Sequence, residues 1–314
     1  MINTVTLNPA IDRILFIDRF ERTVTARVHL KTEALGGKGV HISVNLSLLG
    51  EPSRAFGVLF GDTGKRIENE LKEMGVTTRF VQGEKRPGAD SRTNYVVIEE
   101  SGVSTIISEH GIDLTEEDID SVISLLKEDA EDGDILVLSG DASNVEDPYV
   151  YNRFIGAMKD RNAKVFLDAS GPALAGALEA SPFLIKPNRD ELESLTGMEI
   201  RNDVDGFRAI RALDRYGIPN IALTLGEDGS IIKFGDGGIL RALPLRVPVK
   251  NTAGCGDAFL SGLIAGIARG WENERTLRTA AAVSAATAAD PLTVGFDTEY
   301  AESLKEQVRI ETLL

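Results

Sequence analysis

Asp257 is the residue whose setting most strongly suggests chemistry. It follows Asn251-Thr252-Ala253-Gly254-Cys255-Gly256 and precedes an apolar stretch of helical period over residues 258–268. The small residues predict a loop that enters a helix N-terminus. Glycines there let backbone N–H groups converge on one point, and the helix dipole adds partial positive charge. Such a point binds an anion. A carboxylate beside it fits if it takes a proton instead of binding charge, so Asp257 reads as a general base next to an anion hole made by Gly254, Cys255 and Gly256. Cys255 itself sits where a thiolate can be activated. No histidine follows in a suitable motif, and an anion hole asks only for a small residue, so it is not read as a nucleophile.

Four further motifs carry candidate groups. Gly36-Gly37-Lys38-Gly39 precedes a helical pattern and is read as a loop passing close to a substrate. It is not a P-loop, because no Ser or Thr follows Lys38. Asn8-Pro9-Ala10-Ile11-Asp12 lies just past a strand, where Asp12 can hydrogen-bond hydroxyls or simply serve a turn. In Lys186-Pro187-Asn188-Arg189-Asp190-Glu191 the oxygens of Asn188 and Glu191 share one helix face and suit Mg²⁺, often through water; an N-capped helix would show the same pattern. Thr224-Leu225-Gly226-Glu227-Asp228-Gly229 is a glycine turn between strands, or a set of contacts to nucleotide phosphates.

The elements that must position these groups alternate along the chain. Strands are expected at 4–7, 54–59, 77–81, 134–138, 164–167, 183–185 and 220–225. Helices are expected at 40–49, 63–74, 114–130, 149–159, 204–216, 258–269, 274–289 and 298–308. Short apolar strands between helices predict an α/β, doubly wound, mostly parallel sheet covered on both faces. Two pairs of alternating segments, 13–20 with 28–32 and 92–99 with 104–109, predict a small accessory sheet. It would be built from 12–35 and 90–110 and would act as a lid on a single domain spanning 1–314.

Composition narrows the partners. The 314 residues carry a net charge of −15, which argues against nucleic acid and anionic membranes but not against a locally basic phosphate site. One cysteine and three scattered histidines exclude an intramolecular disulfide and a zinc site of ordinary spacing. No apolar run reaches the roughly 18 residues of a membrane span. A soluble, cytoplasmic protein is expected.

In their order, Gly-Gly-Lys-Gly, Pro-Asn-x-x-Glu, Thr-x-Gly-x-x-Gly and Gly-x-Gly-Asp resemble the ribokinase-like, or PfkB, carbohydrate kinases over essentially the whole chain. The opening Thr6-Leu7-Asn8-Pro9-Ala10-Ile11-Asp12 resembles the branch containing 1-phosphofructokinase and tagatose-6-phosphate kinase. That resemblance implies Mg²⁺-ATP-dependent transfer to a hydroxyl of a ketohexose phosphate, fructose 1-phosphate ahead of tagatose 6-phosphate. An unphosphorylated sugar or nucleoside acceptor, or a sugar-phosphate-binding regulator, are the other readings. It implies Lys186, Asn188, Thr224, Gly226 and Gly229, with Gly254 and Gly256, for ATP, and Asn188 and Glu191 for the metal. For the acceptor it implies Asp12, Gly37, Lys38 and Arg92, with Arg27 as a second candidate for the substrate phosphate. It also implies a homodimer through the lid. The chain departs from the family pattern at His41, where Asn is usual and touches the sugar. It departs again at Gly140-Asp141-Ala142-Ser143, where Gly-Ser-Leu-Pro is usual. Both His41 and Asp141 fall on the acceptor side.

Overall fold

The computed structural model describes residues 1–83, 88–140 and 142–313. In chain order the first half forms β1 (Ile2–Thr6), β2 (Ala10–Ile17), β3 (Val28–Gly36), α1 (Lys38–Leu48), β4 (Ser53–Leu59), α2 (Gly61–Glu73), β5 (Thr77–Gln82), β6 (Arg92–Glu99), β7 (Ser104–Ser108), α3 (Glu116–Asp129), β8 (Ile135–Ser139) and α4 (Val150–Ala157). The second half adds β9 (Lys164–Asp168), α5 (Gly171–Ala177), β10 (Leu184–Ile185), α6 (Arg189–Thr196), α7 (Asp203–Ala212), β11 (Asn220–Thr224), β12 (Ser230–Lys233), β13 (Ile239–Ala242), α8 (Cys255–Ala268), α9 (Asn273–Ala288), α10 (Thr298–Lys305) and β14 (Ile310–Thr312).

Ten strands make one sheet in the order β14-β13-β12-β11-β10-β9-β8-β1-β4-β5. The run from β11 to β5 is parallel, and β12, β13 and β14 extend it antiparallel. The pleat explains why the parallel strands are apolar throughout. Along β8, Leu136 and Leu138 face a core shared with Val122 and Leu126 of α3 and Phe154 of α4. Val137 and Ile135 face the opposite core, with Ile42 of α1 and Phe259 and Leu263 of α8. Alternating side chains that both meet helices must both be hydrophobic.

The second sheet has the order β3-β2-β6-β7. It grows from the chain after β1 and again after β5, as the alternating segments predict. Its central pair, β2 and β6, is parallel, with Ala10 opposite Arg92 and Asp12 opposite Asn94. Ile11 and Leu35 on one face of the sheet, and Ile14 and Val96 on the other, pack in one core with Val44 of α1 and with Leu59 and Ile67. Leu30, Ile106 and Ile107 on the sheet are exposed.

Several boundaries differ from expectation. The small sheet spans Ala10–Gly36 and Arg92–Ser108, because β2 gains partners on both sides as soon as Pro9 is passed. Helix α1 begins at Lys38, taking the last glycine of its motif into the first turn. Helix α10 stops at Lys305, and the chain returns to pair with β13.

Candidate active site

A cleft of about 1170 Å³ lies between the two sheets. Thr6, Gly140, Asp168, Lys186 and Thr224 line it, each at or just past the carboxyl end of a parallel strand. Open α/β sheets present their loops for ligands at that edge. The small sheet contributes Asp12, Arg92 and Asn94 to the opposite wall, and the N-terminal turns of α1 and α8 close the end between them.

Helix α8 is buried over Asp257–Gly266, which its apolar sequence requires. Gly254 caps it with φ 83°, and a Cβ there would stand 1.9 Å from the carbonyl oxygen of Thr293. Only glycine satisfies both the backbone angle and that approach. The N–H groups of Cys255, Gly256 and Asp257 open the helix without intrahelical acceptors, and residues 254–257 line the cleft. Burial, with Asp257 adding to it, pushes the Cys255 thiol up to about 12. It stays protonated at neutral pH, which agrees with its reading as a small wall residue.

Asp257 is buried and in contact with His41, whose Nδ1 lies 2.7 Å from its Oδ2. The other ring nitrogen, Nε2, is 3.0 Å from the Leu35 carbonyl oxygen and 3.5 Å from Oδ2 of Asp12. Asn94 donates to Oδ1 of Asp12 at 2.8 Å. Burial alone would raise the Asp12 carboxyl, yet the His41 ring and the Asn94 amide hold it below its ordinary range. Gly36 leaves room for this carboxylate: a Cβ there would lie 2.2 Å from Oδ1. The glycine motif thus makes room for Asp12 through Gly36 and caps α1 through Gly37.

A second charged cluster crosses the floor. Asp168, fully buried at the end of β9, meets Lys38 Nζ at 3.1 Å and Lys186 Nζ at 3.3 Å. Burial would raise Asp168, and the two ammonium groups reverse that. Asp168 in turn holds Lys38 above the ordinary lysine range, with Asp257 and Glu191 adding to the field. Asn188 and Glu191 form a reciprocal cap on α6: Glu191 N–H donates to Asn188 Oδ1 at 2.8 Å, and Asn188 N–H donates to Glu191 Oε2 at 2.9 Å. Asn188 also bridges to Thr224 on β11, which brings both beside Gly226 and Gly229 at one end of the cleft.

The structure therefore gathers Asp12, Gly37, Lys38, His41, Arg92, Lys186, Asn188, Thr224, Gly226, Gly229 and residues 254–257 around one cavity. Glu191 is not among the lining residues; its carboxylate turns back to accept from the Asn188 N–H in the helix cap. Arg27 is not brought there. It is exposed in the 18–27 connection, which the length of β2 and β3 carries away from the cleft. Asp141 lies outside the described residues. Sequence reading missed Asp168 and Asn94. Asp168 had a signal, an acidic residue ending an apolar strand; Asn94 had none beyond its inward place on β6.

A model of the pfkB family of carbohydrate kinases matches residues 5–297. The chain is 32% identical to the 1-phosphofructokinase of Vibrio cholerae over 311 residues, 99% of this chain and 96% of that protein. It is 29% identical to the 1-phosphofructokinase of Bacillus subtilis over 313 residues, covering 100% of each. Phosphofructokinase-2 from Escherichia coli, solved in complex with substrates and products, superposes with a TM-score of 0.88 over 98% of both chains. At 21% identity this is a likeness of fold.

Proposed function

The chain belongs to the pfkB family of carbohydrate kinases, and on that premise we propose that it transfers the γ-phosphoryl group of ATP to a hydroxyl of fructose 1-phosphate, giving fructose 1,6-bisphosphate. The observation that carries this reading is the meeting, in one cleft, of a buried carboxylate at a glycine-capped helix start with a buried arginine on the facing sheet. In this reading residues 1–314 act as one ribokinase-like domain, with the small sheet as its lid.

Asp257 accepts the hydroxyl proton as the acceptor oxygen bonds to the γ-phosphorus. The bond from that phosphorus to the bridging oxygen breaks, and ADP leaves with its electron pair. The N–H groups at the start of α8 and the ammonium groups of Lys38 and Lys186 face the phosphoryl oxygens, where catalysis of this transfer is concentrated. Thr224, Gly226 and Gly229 hold the nucleotide phosphates. Asp12 and Gly37 hold the acceptor hydroxyls, and Arg92 holds its phosphate. The closed lid excludes water and limits ATP hydrolysis.

Mg²⁺ fits as an ion carried by phosphates and water. Among the described residues no three His, Cys, Asp or Glu side chains could cage a metal; Asn188 lines the cleft and Glu191 caps the same helix, so the pair would hold the ion through water. When bound, it neutralises charge on the polyphosphate.

A coupled assay over fructose 1-phosphate, tagatose 6-phosphate, fructose 6-phosphate and free sugars tests the acceptor, with fructose 1-phosphate expected to give the highest kcat/KM. Arg92→Ala should raise KM for that acceptor on the order of 10- to 100-fold, the worth of a charged hydrogen bond, and leave KM for ATP unchanged. A barely altered acceptor KM would favour an unphosphorylated substrate instead.

The exposed Leu30, Ile106 and Ile107 support a homodimer joined through the lid sheets. Sedimentation velocity at assay concentration should show two copies; a monomer there rejects this assembly.

A further inference from the structure

The His41 ring touches acceptors on both sides. Nδ1 faces a carboxylate oxygen of Asp257 at 2.7 Å, and Nε2 faces the Leu35 carbonyl at 3.0 Å with Asp12 at 3.5 Å. A neutral imidazole has one N–H, so one lone pair would point at an oxygen. Only the doubly protonated ring donates in both directions. Its partners come from three elements: Asp12 from β2, the Leu35 carbonyl from β3 and Asp257 from α8, while the ring itself stands on α1.

We propose that His41 is a positioning residue, an imidazolium strut that fixes the orientation of the Asp257 base and ties it to Asp12 on the lid. The ring spends its N–H groups on protein oxygens, so it does not serve the sugar directly. Occupying Oδ2 of Asp257 leaves Oδ1 to meet the acceptor hydroxyl, and sets the plane in which it does so. Asp12 belongs to the small sheet, and Asp257 is anchored to the buried α8. One side chain therefore registers the lid on the base.

The charge environment agrees. Burial pushes the ring down, but the hydrogen bonds and charges of Asp12 and Asp257 more than reverse this, and it is pushed up to about 10 from 6.5. Beyond these two carboxylates, the charged groups facing the site are Lys38 on α1, with Asp168 and Lys186 behind it; Cys255 next to Asp257 stays a neutral thiol. The sign of the pH dependence follows from the raised value. The strut contributes fully below about 6.5, and its contribution is lost as pH rises through about 10.

The proposal rests on the kinase reading, so its test has one readout that does not. In ¹⁵N-histidine NMR of the whole protein at pH 8, His41 should show two protonated nitrogens; a neutral ring at that pH overturns the strut even if the acceptor reading has also failed. In turnover, His41→Gln should lower kcat about 10-fold and leave KM for ATP unchanged. It should also abolish two declines expected of wild type: the fall in denaturation midpoint between pH 6.5 and about 10, and the fall in kcat as pH rises through about 10. A wild type that phosphorylates fructose 1-phosphate alongside a His41→Gln with the same kcat and the same alkaline decline would overturn the proposal and leave the acceptor reading standing. If His41→Gln does not fold, His41→Asn is measured the same way. If neither folds, the NMR result decides.

Discussion

Asp257→Asn should lower kcat by about three orders of magnitude while ATP still binds and the chain still folds. The substitution keeps the shape of the side chain and removes its ability to take a proton. The amide oxygen can still accept the hydrogen bond that Oδ2 now accepts from His41 Nδ1, and Asp12 and the Leu35 carbonyl remain on the other side of the ring. The imidazolium is therefore not stranded. The helix N–H groups that would face the phosphates belong to the backbone and are untouched. Calorimetric titration with ATP should give a Kd close to wild type; the melting temperature should fall, because His41 loses one of the two carboxylates that favour its protonated ring, while Asp12 remains. Turnover within a few-fold of wild type would remove Asp257 from the role of base.

Gly254→Ala should damage stability and catalysis together. The residue holds φ 83° and would place its Cβ 1.9 Å from the Thr293 carbonyl oxygen. The left-handed backbone and the overlap should cost about 2–4 kcal/mol together, since neither neighbour is the flexible end of a side chain. If the chain relieves the overlap by moving the start of α8, the N–H groups of residues 255–257 shift relative to the phosphoryl group. A displacement of that order costs roughly 100-fold in rate. Gly256→Ala is the control for the fold: its Cβ would meet the movable end of Lys186 at 3.4 Å, so its melting temperature should stay near wild type. A Gly254→Ala protein with unchanged melting temperature and kcat would contradict this account of the helix start.

Groups that lie close together in sequence were legible before the structure. Residues 254–257 carry their own turn, helix and acid, so their spacing states their geometry. The parallel strands were legible because both faces of the sheet are buried and the code is simply apolar. The last two strands, β13 and β14, of four and three residues, have too few positions to show a period. The start of α1 was hidden because Gly37 and Gly39 disfavour helix locally, and packing of that turn against β1 overrides the preference. Asp168 and Asn94 were missed because their partners arrive from elements distant in sequence, Lys38 on α1 and Lys186 past β10 for the first and Asp12 on β2 for the second. Arg27 fails for the converse reason: its charge was visible, but where a hairpin end lies depends on strand length and twist.

The parallel pairing of β2 with β6 also has a history in time. Asp12 and Asn94 are 82 residues apart in the chain, and closing a loop of that length costs roughly 4 kcal/mol of chain entropy. On a ribosome, β2 leaves the exit tunnel with β3 as its only strand partner and must wait for β6. Asp257 emerges much later, after the whole parallel sheet. The wall that would hold the acceptor can thus be built before the residue that would activate it has been made.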